Sequence, residues 1–138
     1  MAERAIIVHS LDHALTAAAA AAELGVPVTI ASAPGAAAYL GAPWFRELLG
    51  LVAAAHPDVA MTGILDCADR PGHALAAVRA GLGRVRFTGR RATAEKLRAI
   101  AAATGAEIVT GRLSTLDLLD QADPASACRA WLAKGRTR

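Results

Sequence analysis

Asp66 and Cys67 place a carboxylate beside a thiol, directly after the apolar run Val59 to Leu65. An aspartate there can carry a proton, and a thiolate can act as nucleophile or metal ligand. The competing reading is a helix-capping aspartate next to a small buried cysteine. His9 ends the first apolar run, and imidazole chemistry works near neutral pH. It could reach a ligand or serve as a hydrogen-bonded structural residue. Thr88-Gly89-Arg90-Arg91 combines a hydroxyl, an open backbone and two guanidinium groups at the start of an expected helix. That combination can hold a phosphate through helix N–H groups and bidentate arginine contacts. Ser32 and Gly35 follow the second apolar run. Asp69 and His73 stand at i and i+4, one side of a helix, but a metal centre there lacks further ligands. His13 and His56 read as surface residues, and Cys128 as packing. No GxGxxG, P-loop, GxSxG or CxxC pattern occurs.

These residues must be positioned by the elements around them. Short apolar runs alternate with Ala-rich stretches along the chain. The predicted strands are Ala5 to Val8, Val26 to Ala31, Val59 to Leu65, Arg84 to Phe87 and Glu107 to Thr110. Ser10 can cap a helix over Leu11 to Leu24 that Gly25 ends. Further helices are predicted from Trp44 to His56, from His73 to Ala80 opened by Asp69, and from Ala94 to Ala103 capped by Thr93. Ser114-Thr115-Leu116-Asp117 has the spacing of a capping box, and a last helix follows Asp123-Pro124. Five βα units imply an α/β fold with a parallel sheet, either a half-barrel derived from a TIM barrel or an open doubly wound sheet. Ligands of such sheets bind at the carboxyl ends of the strands. This rule selects His9 and Ser10, Ser32 to Gly35, Asp66 and Cys67, Thr88-Gly89 and Thr110-Gly111; of these His9, Ser32, Gly35, Thr88 and Gly89, together with Arg90, are the candidate ligand-binding residues. Thr110-Gly111-Arg112 echoes Thr88-Gly89-Arg90, a similarity short enough to be coincidence.

The chain has 138 residues, 54% of them hydrophobic, which excludes disorder and fits one domain over 1–138. That is too short for a whole eight-stranded barrel, which takes roughly 200 residues or more. Aromatic residues are 4% and alanine about a quarter, so the core is built from small aliphatic side chains. The net charge of +3 is almost all arginine, clustered at 84–91 and 129–138 without interleaved aromatics, so no nucleic-acid partner is expected. Two cysteines make no disulfide framework, and no signal peptide is read at the start. A cytoplasmic location is expected. Residues 24–45 carry no charge, yet Gly25, Pro27, Pro34, Gly35, Gly41 and Pro43 interrupt them, so no membrane span is expected.

At this point the residues resemble a family. Ala5-Ile-Ile-Val-His-Ser-Leu-Asp-His-Ala14 resembles the opening A-F-N-V-N-N-x-E-x-A of class II fructose-bisphosphate and tagatose-bisphosphate aldolases. Ala21-Ala-Glu-Leu-Gly-Val-Pro-Val-Thr-Ile30 is similar to their A-A-E-E-x-x-x-P-V-I-L, and Ala33-Pro-Gly-Ala-Ala-Ala-Tyr-Leu-Gly41 to their S-P-G-A-x-x-Y-x-G. Ile64-Leu-Asp-Cys-Ala68 falls where they carry H-L-D-H-G. Ala77 to Gly89 follows their A-I-x-A-G-F-x-S-V-M-I-D-G. The series runs in order over about residues 5–91.

The resemblance implies the first half of a β/α barrel. It puts Asp66 at the family's catalytic proton donor and acceptor, and Cys67 at a metal-ligand histidine. Ala33 replaces the family's serine, with Ser32 one residue earlier. Thr88 replaces the aspartate of the fourth strand, and His9 the asparagine ending the first. The later Gly-His-Gly and His-Gly-Gly-Ser segments, two metal ligands and the phosphate loop, have no counterpart. The family polarises its ketone with a divalent metal. The matched residues of one chain do not assemble three ligands for it.

The expectation is therefore an aldolase-like domain that does not cleave carbon–carbon bonds and binds a small, phosphorylated metabolite. The alternatives are a metal-dependent lyase whose site is completed by oligomerisation, with Cys67 and His9 as ligands, or a non-catalytic interaction domain. Whether it is an enzyme stays open. A divalent metal such as zinc is the cofactor the lyase reading would need, without tight binding. A homodimer is expected, with Tyr39, Trp44 and Phe45 as the apolar surface buried in it.

Overall fold

The apolar runs become strands and the alanine stretches become helices, as hydrophobic periodicity requires. The computed structural model describes residues 2–136. Strand β1 (Glu3–Val8) is buried from Ala5 onward. The Ser10 hydroxyl then accepts the His13 N–H at 3.1 Å and opens α1 (Leu11–Leu24). Gly25 closes that helix in the left-handed conformation, φ 66°, where a side chain would be strained. After β2 (Val28–Ser32) come a 3-10 turn over Ala36–Ala38 and α2 (Ala42–Ala55). Next are β3 (Met61–Asp66), α3 (Pro71–Arg79), β4 (Arg84–Arg86), α4 (Arg91–Ala102) and β5 (Glu107–Val109). The chain ends on β6 (Leu113–Asp117), a 3-10 turn over Leu118–Asp120, and α5 (Pro124–Arg136). The fold is α/β, with strand order β5-β4-β3-β2-β1-β6 through one sheet. The β1–β6, β3–β4 and β4–β5 pairs are parallel.

The chain divides into two compact units. The first holds residues 1–31, 48–62 and 112–138. There β1 pairs with β6 in the register Glu3↔Leu113 to Ile7↔Asp117, and α1 packs on α5. The contact face of α1 is small: Ala14, Ala17, Ala18, Ala20 and Ala21 are its buried residues. The second unit holds 32–47 and 63–111. Its β3, β4 and β5 are covered by α3 and α4, which also touch each other. Ile64, Leu65, Val85, Phe87, Leu97 and Ile108 form its buried apolar centre.

Several boundaries depart from the sequence expectations. The Ser114–Asp117 stretch is not a capping box at a helix start but strand β6, because its residues pair with β1. Asp117 does cap, accepting the Leu119 N–H at 2.9 Å, but over a 3-10 turn. Asp69 does not open α3; the N-cap residue is Arg70, with Pro71 fixing φ at the first helical position. Thr93 lies inside α4, which starts at Arg91 without a side-chain cap. Phe45 is fully buried in the chain's own core, so of the three aromatics expected on a surface only Tyr39 and Trp44 are exposed. Among the described residues no helix is long and apolar enough to cross a membrane.

Candidate functional site

Parallel strands end where their crossover helices begin, so strand ends collect loops, free N–H groups and polar side chains. In the second unit the chain leaves β4 through Phe87-Thr88-Gly89 and enters α4, and leaves β5 at Thr110. A concavity of about 470 Å³ opens there, lined by Phe87, Thr88, Gly89, Arg91, Ala94, Arg98 and Thr110. Its charged lining groups are two guanidinium groups, with no carboxylate between them. Arg98 lies two turns along α4, but helical side chains lean toward the N-terminus, and its Nη2 donates to the Thr110 Oγ1 at 2.5 Å. Arg91 is exposed and forms only a loose pair with Glu95, 3.7 Å apart on the same helix. No side chain caps α4, so the positive end of the helix faces the same loops.

Gly89 owes its identity to packing. A Cβ there would sit 3.0 Å from two atoms of the buried Phe87 ring and nearer still to a third. The ring fills the space that a side chain would need.

Asp66 closes β3 beside this concavity without lining it. Its Oδ1 accepts the Gly35 N–H at 2.9 Å and the Ala68 N–H at 2.8 Å. Its Oδ2 faces the Arg86 Nε at 3.6 Å. Ser32 is spent in the same knot: its hydroxyl accepts the Asp66 N–H at 2.8 Å and donates to the Ala33 carbonyl at 3.3 Å. Gly35 and Ala68 both adopt positive φ, 71° and 50°. For alanine this is an uncommon conformation, held here by the aspartate. Cys67 is buried, and burial followed by the neighbouring Asp66 charge pushes its thiol up to about 12. A thiol so hard to ionise is a poor nucleophile. Among the described residues no three His, Cys, Asp or Glu side chains converge as metal ligands would. The donor set does not fit the divalent ion that the resemblance implies.

His9 belongs to the first unit, at the carboxyl end of β1. Its Nε2 lies 2.7 Å from the Asp117 Oδ1, and its backbone N–H donates to the His13 Nδ1 at 3.1 Å. The two rings meet edge to face, 5.9 Å between centres. This pair ties the end of β1 to the end of β6.

Thus Thr88 and Gly89 meet in one concavity, while Ser32, Gly35 and Asp66 form the knot beside it. Arg90 is the N-cap residue of α4 and does not line the concavity; Arg91 does. Arg91 belongs to the run Thr88-Gly89-Arg90-Arg91 and Thr110 to the strand ends marked in the sequence, whereas Arg98 was not singled out by sequence reasoning. Two signals were available for placing them together. Arg91 and Arg98 are seven residues apart, on one helix face. The Thr-Gly-Arg echo also marks two strand ends whose threonines share the concavity.

No family model matches the chain, and no curated protein matches it. Among solved structures it is similar to one from Coccidioides immitis assigned as a fructose-1,6-biphosphate aldolase. The TM-score is 0.65 at 23% sequence identity, over 78% of this chain and 40% of that one. The chain spans about two fifths of the length of that structure, and what the two share is the fold.

Proposed function

We propose that this chain is a class II aldolase-like half-barrel domain that has kept the fold without carbon–carbon cleavage. In this reading it binds the phosphoryl group of a small metabolite at the carboxyl ends of β4 and β5. The observation that carries the reading is the concavity with two arginines, two threonines, a helix N-terminus and no carboxylate. Arginine forks and hydroxyls are the groups that recognise phosphate oxygens. The shared fold and the ordered motif series support the relationship to the aldolases. Against turnover stand the engaged carboxylate of Asp66, the protonated thiol of Cys67 and the poor fit to a metal. A homodimer in the cytoplasm completes the proposal, on the exposure of Tyr39 and Trp44.

Titration with inorganic phosphate and with fructose bisphosphate, followed by amide chemical shifts, tests the binding. Resonances of Thr88, Gly89 and Thr110 are expected to move. Arg98→Ala is expected to weaken binding roughly tenfold, the loss of one charge-assisted hydrogen bond. Unmoved resonances at saturating phosphate would remove the reading. A coupled aldolase assay is expected to show no cleavage. Metal-dependent turnover abolished by EDTA would favour the lyase alternative.

A further inference from the structure

We infer that Asp66 is the positioning residue of the anion concavity, acting through two chains of contacts without touching the ligand. The inference rests on the phosphoryl-binding reading above. One chain runs through the backbone. The Asp66 Oδ1 holds the Ala68 N–H at 2.8 Å, and with it the left-handed turn at Ala68. The Ala68 carbonyl in that turn accepts the Thr88 N–H at 2.8 Å. Thr88 is one wall of the concavity. The other chain runs through a guanidinium. The Asp66 Oδ2 faces the Arg86 Nε at 3.6 Å, and the Arg86 Nη1 donates to the Gly111 carbonyl at 2.6 Å. Gly111 follows Thr110, the opposite wall. Arg86 and Asp66 are also register partners on β4 and β3, so the guanidinium lies between two fixed strands.

Both oxygens of this buried carboxylate have partners: Oδ1 takes two backbone N–H groups and Oδ2 faces the Arg86 guanidinium. What it offers is a fixed negative point around which the loops after β2, β3, β4 and β5 are set. It also holds Arg86 on the Gly111 carbonyl. Two walls from different loops gain a common anchor, which is what a site of stable geometry needs.

The test uses the full chain with inorganic phosphate as the probe. Asp66→Asn keeps an oxygen acceptor for the two N–H groups and loses the attraction for Arg86. Asp66→Ala loses both. Phosphate affinity is expected to fall severalfold in Asp66→Asn and more than about tenfold in Asp66→Ala. The effects of Asp66→Asn and Arg86→Gln are expected to be strongly non-additive, because both cut one chain. General loss of stability would make them add. In the phosphate-free Asp66→Asn spectrum the Thr88 and Gly111 amides are expected to shift. Parent-like phosphate affinity in folded Asp66→Asn overturns the inference, and so does additivity with Arg86→Gln. Should Asp66→Ala fail to fold, the Asn and Gln variants carry the whole test. If the parent chain binds no phosphate, the functional reading fails, and the positioning claim is judged on the Thr88 and Gly111 amides. Unshifted amides then overturn it.

Discussion

Gly89 and Asp66 show how a single residue can be found by its neighbourhood while its contacts stay hidden. Both were legible in the sequence: one by the strand-end rule, the other by its place in a motif series. Their contacts were not legible: the Phe87 ring that Gly89 abuts is placed only by folding, and Asp66 depends on partners far along the chain. Gly89 suggests close approach of a phosphate, yet the buried Phe87 ring already occupies its Cβ position. Gly89→Ala is therefore expected to destabilise the fold by about 1–3 kcal/mol, the usual cost of overpacking. Urea unfolding of the variant measures it. A midpoint equal to the parent's would mean that the ring has room to turn away. Asp66 suggests proton transfer, but its partners Gly35 and Arg86 lie 31 and 20 residues away in sequence. No spacing rule reports such contacts. Arg98 was overlooked for the same reason, since its partner Thr110 stands on another element.

Elements were the most legible scale. Helix α1 runs from Leu11 to Leu24 as the Ser10 cap and the Gly25 stop require. The alternation of strands and helices followed from apolar runs and alanine stretches. Strand β6 was missed because Ser114, Thr115 and Asp117 carry a helix-start pattern, and pairing with β1 overrides that local preference. The end of this pair has a pH signature. Burial works to raise the Asp117 carboxyl, but the Leu119 N–H and the charges of His9 and His13 outweigh it. The result lies below the ordinary value of 3.8. A carboxyl lowered by folding contributes stability that is complete above its unfolded value. That contribution disappears as pH falls through the folded value. Asp117 is partly exposed, so the effect is modest. Asp117→Asn is expected to be less stable than the parent at neutral pH and to converge with it in acid, once pH has fallen below the lowered folded value. Unfolding free energies across that range decide it. A difference that persists in acid would place the loss in packing instead of charge.

At the scale of the whole molecule, the α/β fold class was legible in the sequence, and the likeness in fold to the Coccidioides immitis structure agrees with it. The sequence could not say which aromatics the chain keeps for itself. Phe45 is buried, whereas Tyr39 is 67% exposed and Trp44 38% exposed, in an otherwise aromatic-poor chain. Aromatics left on a surface are the common anchors of association, because a ring buries much apolar area at small entropic cost. A stable pair buries about 800 Å² on each partner. At about 25 cal/mol per Å² the apolar part of that area gives a sizeable gross gain, which lost translational and rotational freedom partly offsets. Under the proposed homodimer, sedimentation velocity at micromolar concentration should show a species of twice the chain mass. Trp44→Glu places a charge in the first turn of α2, where desolvating it in an interface is costly. The variant is expected to sediment as a monomer with unfolding close to the parent's. A parent that is monomeric at those concentrations would end the dimer proposal, and a Trp44→Glu protein that stays dimeric would move the interface elsewhere.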